Sequence, residues 1–403
     1  MWGFPVRGVG KQRLLNGFQE ERDRFDPIHS AAFALAAVLS CRRRQCSACP
    51  RPVHPRSGCP SSGRMKWTSD RAAVRLWPQS LRTAPLPLTL IPWSSMALLL
   101  VLWLLFPQSL TRLMYLPLLV STVLLGIPHG ALDHLIPTRL GWRWGQRLGA
   151  VALYIAAYAL LAALTLGLWW LLPRAAFWGF VLLSCLHWGH GDLHYLETVQ
   201  GRRRWLGRWS AAVTLLARGS LPILVPLLAF PEWFGRLASG VAQAFGQAEA
   251  TLTVTAPLLS PTVFTGLAVA VGVILLAYVA DTVRSSRVPM TELAETGLLL
   301  LTFLVVPAPL SIGIYFTLWH AWRHLGRLLG LQPVAARPLV RLGRDLLPIS
   351  LIALALLGGL YLWAAPQVDN LETFAALYLA LIAALTLPHA LLVAVMDVKR
   401  SPG

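Results

Sequence analysis

Eight of the ten histidines of this 403-residue chain fall in four short stretches. GIPHGALDHL carries His129, Asp133 and His134; LHWGHGDLHYL carries His187, His190, Asp192 and His194; LWHAWRHL carries His320 and His324; LPHALLVAVMD carries His389 and Asp397. A single buried histidine is more often a hydrogen-bonded structural residue than a ligand, but eight in four groups suit an imidazole-bound zinc, copper, iron or nickel. No thiolate accompanies them except Cys185, two residues before His187, which is expected to act as a small hydrophobe.

The local spacing fits such a centre. His320 and His324 stand four apart and share a helical face, so two imidazoles could grip one ion. His187, His190 and His194 form a second stripe, of which one or two members could reach a given metal. His129 and Asp133 are also four apart, with His134 turned about 140° from His129 if the helix is continuous. Gly126, Pro128 and Gly130 make a break there the expectation, and a broken helix can aim a ligand or admit a substrate closely. The aspartates are expected to accept the second imidazole N–H and fix ring orientation. Four imidazoles on an octahedral metal would leave positions open for dioxygen or substrate.

The elements that must position these residues are membrane helices. The chain is 56% hydrophobic and 13% charged, with a mean hydropathy of +0.59; soluble domains carry about 25% charged residues, so an ordinary cytosolic globule is excluded. Five cysteines in this length do not make a disulfide scaffold. Apolar runs near the 20 residues or so needed to cross a bilayer lie at about 86–106, 113–132, 148–172, 176–197, 210–230, 256–280, 292–306, 309–326, 346–365 and 373–396. The expected fold is therefore all-α, a polytopic integral membrane bundle of about ten transmembrane helices. With the N-terminus cytoplasmic, 15 loop Lys/Arg fall inside, among them Arg202, Arg203, Arg204, Arg208, Arg337, Lys399 and Arg400. Only Arg112, Arg174 and Arg236 fall outside. That bias supports ten crossings in the cell membrane with both termini cytoplasmic. The segment 231–255 is expected to hold a short interfacial helix. All four histidine stretches then end or lie on helices running outward to inward, so they converge near the cytoplasmic side. Arg218, inside a span, requires a carboxylate or carbonyl partner; Arg323 either snorkels or pairs with Asp133 or Asp192.

The formal charge of +18 is divided: residues 1–92 hold 15 Lys/Arg and 5 Asp/Glu. Residues 1–85 are expected to form a disordered basic tail ahead of a membrane domain at 86–403, unless translation starts at Met65. Cys41, Cys46, Cys49, His54 and Cys59 could supply a structural zinc, though at a spacing of no usual finger. The apolar run 31–40 is a poor signal sequence, preceded by Asp23 and Asp26. Nothing in the charge calls for nucleic acid.

The motif G-x-P-H-G-A-x-D-H, followed in order by H-W-G-x-G-D, W-H-x-x-R-H and a late P-H with Asp eight residues on, resembles the Brp/Blh family of membrane β-carotene 15,15'-dioxygenases over about residues 120–397. The resemblance implies a non-haem Fe(II) enzyme that cleaves the central double bond of β-carotene with O2, giving two retinal molecules within the lipid bilayer, with a rhodopsin apoprotein as a possible recipient. It implies His129, His187, His320 and His324 as iron ligands. Asp133, His134, His190, Asp192 and His389 are then neighbouring or alternative ligands. Trp188, Tyr315 and Trp319, with Tyr195, Phe316 and Trp322, are candidates for a polyene tunnel, or else packing and interfacial residues. The chain departs from the pattern in its tail, in His194 and in 231–255. A histidine-box desaturase or hydroxylase is the enzymatic rival, but such boxes normally include adjacent His-His pairs, which are absent here. A polytopic metal transporter should carry polar groups to both sides of the membrane.

Overall fold

The computed structural model describes residues 86–245, 260–329, 338–367 and 371–398. The tail at 1–85 with its cysteine pattern, residues 246–255, Arg337, Lys399 and Arg400 lie outside the described residues. Apart from Asp397 and Val398, the described residues belong to one compact unit, Ala72–Met396. Its regular elements are all helical among the described residues.

The long helices are α1 (Leu86–Leu105), α2 (Leu148–Leu171), α3 (Pro173–Thr198), α4 (Arg208–Ala229), α5 (Pro231–Ala244), α6 (Pro261–Ser285) and α7 (Pro289–Val305). They are followed by α8 (Ala308–Tyr315), α9 (Trp322–Leu329), α10 (Pro338–Ala364) and α11 (Leu371–Val398). Prolines open many of them, at the position where a missing N–H costs nothing. Six are long and apolar enough to cross a bilayer: those at Leu88–Leu105, Leu148–Leu171, Arg208–Ala229, Pro261–Ser285, Val340–Ala364 and Thr373–Asp397. Their outward leucines, such as Leu160, Leu276 and Leu362, are 60–73% exposed. A continuous coat of that kind belongs in lipid rather than water.

The run expected as a span at 113–132 is not one helix. It is a short helix, Leu116–Ser121, a wide i→i+5 turn, Thr122–Gly126, and two tight turns, Pro128–Gly130 and Asp133–Leu135. The cause is local. Pro128 has no N–H to donate, and a Cβ on Gly126 would lie 2.7 Å from both the Ser121 carbonyl oxygen and the Tyr378 hydroxyl. Carbonyls released by the break need other donors in a low-dielectric interior; those of Leu125 and Gly126 receive the ring N–H of His129. A second wide turn, Phe316–Ala321, joins α8 to α9. The helix expected within 231–255 is present as α5, with Phe234, Ala238 and Val241 buried.

Helices α3 and α4 meet backbone to backbone. A Cβ on Gly189 would lie 2.0 Å from the Leu215 carbonyl oxygen, and one on Gly219 would lie 2.0 Å from that of Cys185. Small residues at such crossings let membrane helices approach closely. Gly189→Leu or Gly219→Leu is therefore expected to wedge the pair apart and lower the detergent melting temperature, whereas Gly266→Leu, in open space, should not. Equal melting of all three would refute the close contact.

Arg202, counted above as a loop cation, is buried. Its guanidinium bonds Asp281 at 2.6 Å, Thr282 at 3.1 Å and Glu292. It ties the α3–α4 connection to α6 and α7.

Candidate metal centre

Five imidazoles converge from four segments: His129 from the broken segment, His187 from α3, His320 and His324 from the wide turn and the α9 helix that continues it, and His389 from α11. All are buried. Ring centres lie 5.9 Å apart for His129 and His320, 5.8 Å for His129 and His324, 5.1 Å for His129 and His389, and 4.9 Å for His187 and His320. His389 lies 5.0 Å from His187 and 5.1 Å from His324, while His320 and His324 are 6.5 Å apart with nearly parallel rings. A metal–nitrogen bond of about 2.1 Å puts a ring centre about 3.2 Å from the ion, so perpendicular ligands have centres about 4.6 Å apart and opposed ones about 6.5 Å. The observed spacings run from slightly above the first value to the second. The rings surround one point without being closed on it, and among the described residues no group of three or more His, Cys, Asp or Glu forms a ready-made cage.

The unsatisfied atoms bear on the same question. The Nε2 atoms of His187, His320, His324 and His389 are buried and have no hydrogen-bond partner. Buried polar atoms are rarely left so, and four such atoms in one cluster fit a site built for a cation. The opposite ring edges are held where the structure specifies them. His129 donates from Nδ1 to the Gly126 carbonyl at 2.5 Å, and His389 donates from Nδ1 to Asp133 Oδ2 at 2.7 Å. Asp133 is fixed in turn by the Tyr158 hydroxyl at 3.1 Å. Each bond places the ring proton on Nδ1 and leaves Nε2 with its lone pair, the arrangement metal-binding histidines use.

The other expected site residues fall outside this ring. His134 is half-buried and bonds the Ala131 carbonyl at 2.8 Å. His190 and His194 are half-buried on α3. Asp192 accepts from Arg218 Nε at 2.9 Å, Trp319 Nε1 at 3.1 Å and Arg323 Nη1 at 3.1 Å. Of the two partners expected for Arg323, Asp192 is the one found. Glu295 on α7 completes the network, accepting from Arg218, from Arg323 at 3.2 Å and from Trp93 at 3.0 Å. Arg323 also lies 3.7 Å from the ring centre of Tyr195 and 4.2 Å from that of Trp319. Two arginines and two carboxylates thus balance in a buried lattice directly behind the histidines. Glu295 and Tyr158 escaped the sequence reading. An acid within the apolar run of α7 was the available signal for the first, whereas a tyrosine on a lipid-facing helix gives none.

The two sides of the ring differ. On one side lies an apolar cavity of about 90 Å³, walled by Trp188, Phe316, Leu118, Phe177, Trp169 and Ile382 among others. On the other is a small polar cleft formed by Asp192, His194, Tyr195, Arg323 and Arg327 with the imidazoles. Trp188 stacks on Phe316 and stands 5.6 Å from His320. Tyr315 and Trp319, expected beside it in the tunnel, do not line the cavity. Trp319 is drawn into the charge network by its N–H bond, and Tyr315 stacks against it.

A family model described as "Beta-carotene 15,15'-dioxygenase" matches residues 120–397. A Halobacterium salinarum protein named "Probable beta-carotene 15,15'-dioxygenase Blh" is 36% identical over 311 residues, 70% of this chain and 84% of that protein. Another from the same organism, "Probable beta-carotene 15,15'-dioxygenase Brp", is 26% identical over 215 residues, 52% of this chain and 57% of the relative. No solved structure matches the chain.

Proposed function

We propose that this chain, which belongs to the beta-carotene 15,15'-dioxygenase family, cleaves the central double bond of β-carotene with dioxygen to give two molecules of retinal. One C=C bond is broken and two C=O bonds form, with both oxygens drawn from O2. Electrons balance without an outside donor, so no reductase is needed. The observation that carries the residue-level reading is the ring of five imidazoles, four with unpartnered Nε2 atoms, beside an apolar cavity.

The ion we assign is Fe(II), held by His129, His187, His320 and His324, with His389 in the same ring; a nitrogen-only donor set without thiolate suits it. Ferrous iron bound there supplies the means to activate dioxygen beside an alkene. The chain's own residues do the rest. The Gly126 carbonyl and Asp133 keep the ring protons of His129 and His389 on Nδ1. Trp188 and Phe316 form a flat wall at the cluster's edge, against which a planar polyene can lie in fixed register. The apolar cavity keeps water from the reacting carbons. Substrate and product both dissolve in lipid, so neither needs extraction into water.

The six apolar helices become ten crossings if α3, α7, α8 with α9, and the broken segment are counted. We infer that number, with both termini cytoplasmic, from the arginine bias. Retinal released into the bilayer is then accessible to a membrane apoprotein such as a rhodopsin. Expression in a β-carotene-accumulating host is expected to bleach the cells and yield retinal; pigment left intact by correctly inserted protein refutes the activity. His187→Ala should abolish bleaching while His190→Ala preserves it, and full activity in both would remove iron from α3.

A further inference from the structure

The apolar cavity runs away from the imidazoles, and how far it runs bears on which bond is cut. Every segment that contributes a histidine to the ring also contributes wall residues that precede that histidine. Leu118 comes before His129, Phe177 to Ser184 before His187, Ala308 to Phe316 before His320, and Tyr378 to Ile382 before His389. The cavity therefore extends from the imidazoles in one direction along all four segments. On α3 its wall is the continuous stripe Phe177, Phe180, Val181, Ser184 and Trp188. From Trp188 back to Phe177 is eleven residues, about 16 Å of helix rise.

β-Carotene is about 30 Å long, comparable to the hydrocarbon core of a bilayer. Half of it, from the central double bond to one terminal ring, is then about 15 Å. With the central bond at the imidazoles, one ring arrives at the far end of the stripe. Trp169, at the end of α2, stands in the cavity wall and is 2% exposed. Its indole N–H has no hydrogen-bond partner, so replacing the side chain changes size and breaks no bond.

We propose that Trp169 is the end stop that registers the substrate, a specificity-determining residue that fixes cleavage at the central double bond by limiting how deep one terminal ring enters. The proposal rests on the dioxygenase reading above. A shortened side chain at this position lets the ring advance by one double-bond repeat. The bond presented to the cluster is then the 13',14' bond, next toward the other ring. Its cleavage by the same O2 chemistry gives one carbonyl on each carbon: an aldehyde longer than retinal and, because C13' bears a methyl group, a shorter methyl ketone.

The test is product analysis by chromatography and mass spectrometry, with β-carotene as substrate, of detergent-purified wild type, Trp169→Phe, Trp169→Ala and Phe177→Ala. Wild type and Trp169→Phe are expected to give retinal alone. Trp169→Ala is expected to give the unequal aldehyde and ketone as at least a tenth of its product, and Phe177→Ala to shift in the same sense. Retinal as sole product of both alanine variants, at whatever rate, overturns the end stop and leaves the dioxygenase reading standing. So does complete loss of turnover in both, since an end wall is not needed for the chemistry. Wild type that makes no retinal overturns the two together.

Discussion

Alanine at His320 is expected to lower retinal formation by a factor on the order of 10³ or more, about 4 kcal/mol of barrier, and to leave the purified protein without iron. His320 belongs to the ring, 4.9 Å from His187 and 5.9 Å from His129, with an unpartnered Nε2. The same result is expected at His129, His187 and His324. Asp133→Asn tests a different atom. It weakens the acceptor that orients His389 without removing an imidazole, so a loss of about 10- to 100-fold in metal affinity is expected. Iron content and bleaching measured together separate the two classes. His320→Ala protein that retains both one iron per chain and wild-type bleaching would remove the metal from this cluster.

The second large effect concerns stability. Arg218 is fully buried among Asp192, Glu295 and Thr296. Arg218→Leu leaves two carboxylates facing Arg323 alone, and breaking a buried pair in this way costs about 3–5 kcal/mol. That is a large share of the roughly 5–15 kcal/mol by which a domain is stable. The variant is expected to be lost from the monodisperse peak on detergent size exclusion. Arg218→Leu combined with Glu295→Gln restores the balance of one arginine to one carboxylate and should recover part of the loss. If the double variant is no better than the single, the packing of the long side chain matters and the charge does not. A positive coupling in the cycle isolates the electrostatic part.

Much of this site was legible in the sequence because ionisable groups in apolar runs are conspicuous. Spacing alone put His320 and His324 on one face, and Gly126, Pro128 and Gly130 announced the break that aims His129. The sequence was less informative wherever the partner lay on another element. Within its own stretch, nothing ranks His187 above His190 and His194; the choice is made by where α4 presses on α3 through Gly219 and turns that face toward α11 and the wide turn. His389 stood as an alternative because its acceptor, Asp133, is 256 residues away. Trp319 and Tyr315 were drawn to the tunnel by residue type, yet their neighbours are the carboxylates and guanidinia of other helices. Counting hydrophobic residues pointed to the six long apolar helices but could not show that 113–132 gives up helical continuity.

The wide turn at Phe316–Ala321 has one more consequence. Upstream, Phe316 is keyed to the cavity; downstream, Arg323 and His324 are keyed to the charge lattice and the imidazoles. An i→i+5 turn contains one residue more than regular helix allows, and that residue advances everything after it by about 100°. The segment therefore works as two cams on one shaft, with the surplus residue setting their phase. The residue count of the turn is therefore as constrained as the identity of His320 within it, because losing one residue would rotate Arg323 and His324 away from the centre while leaving the hydrophobic profile of the helix unchanged.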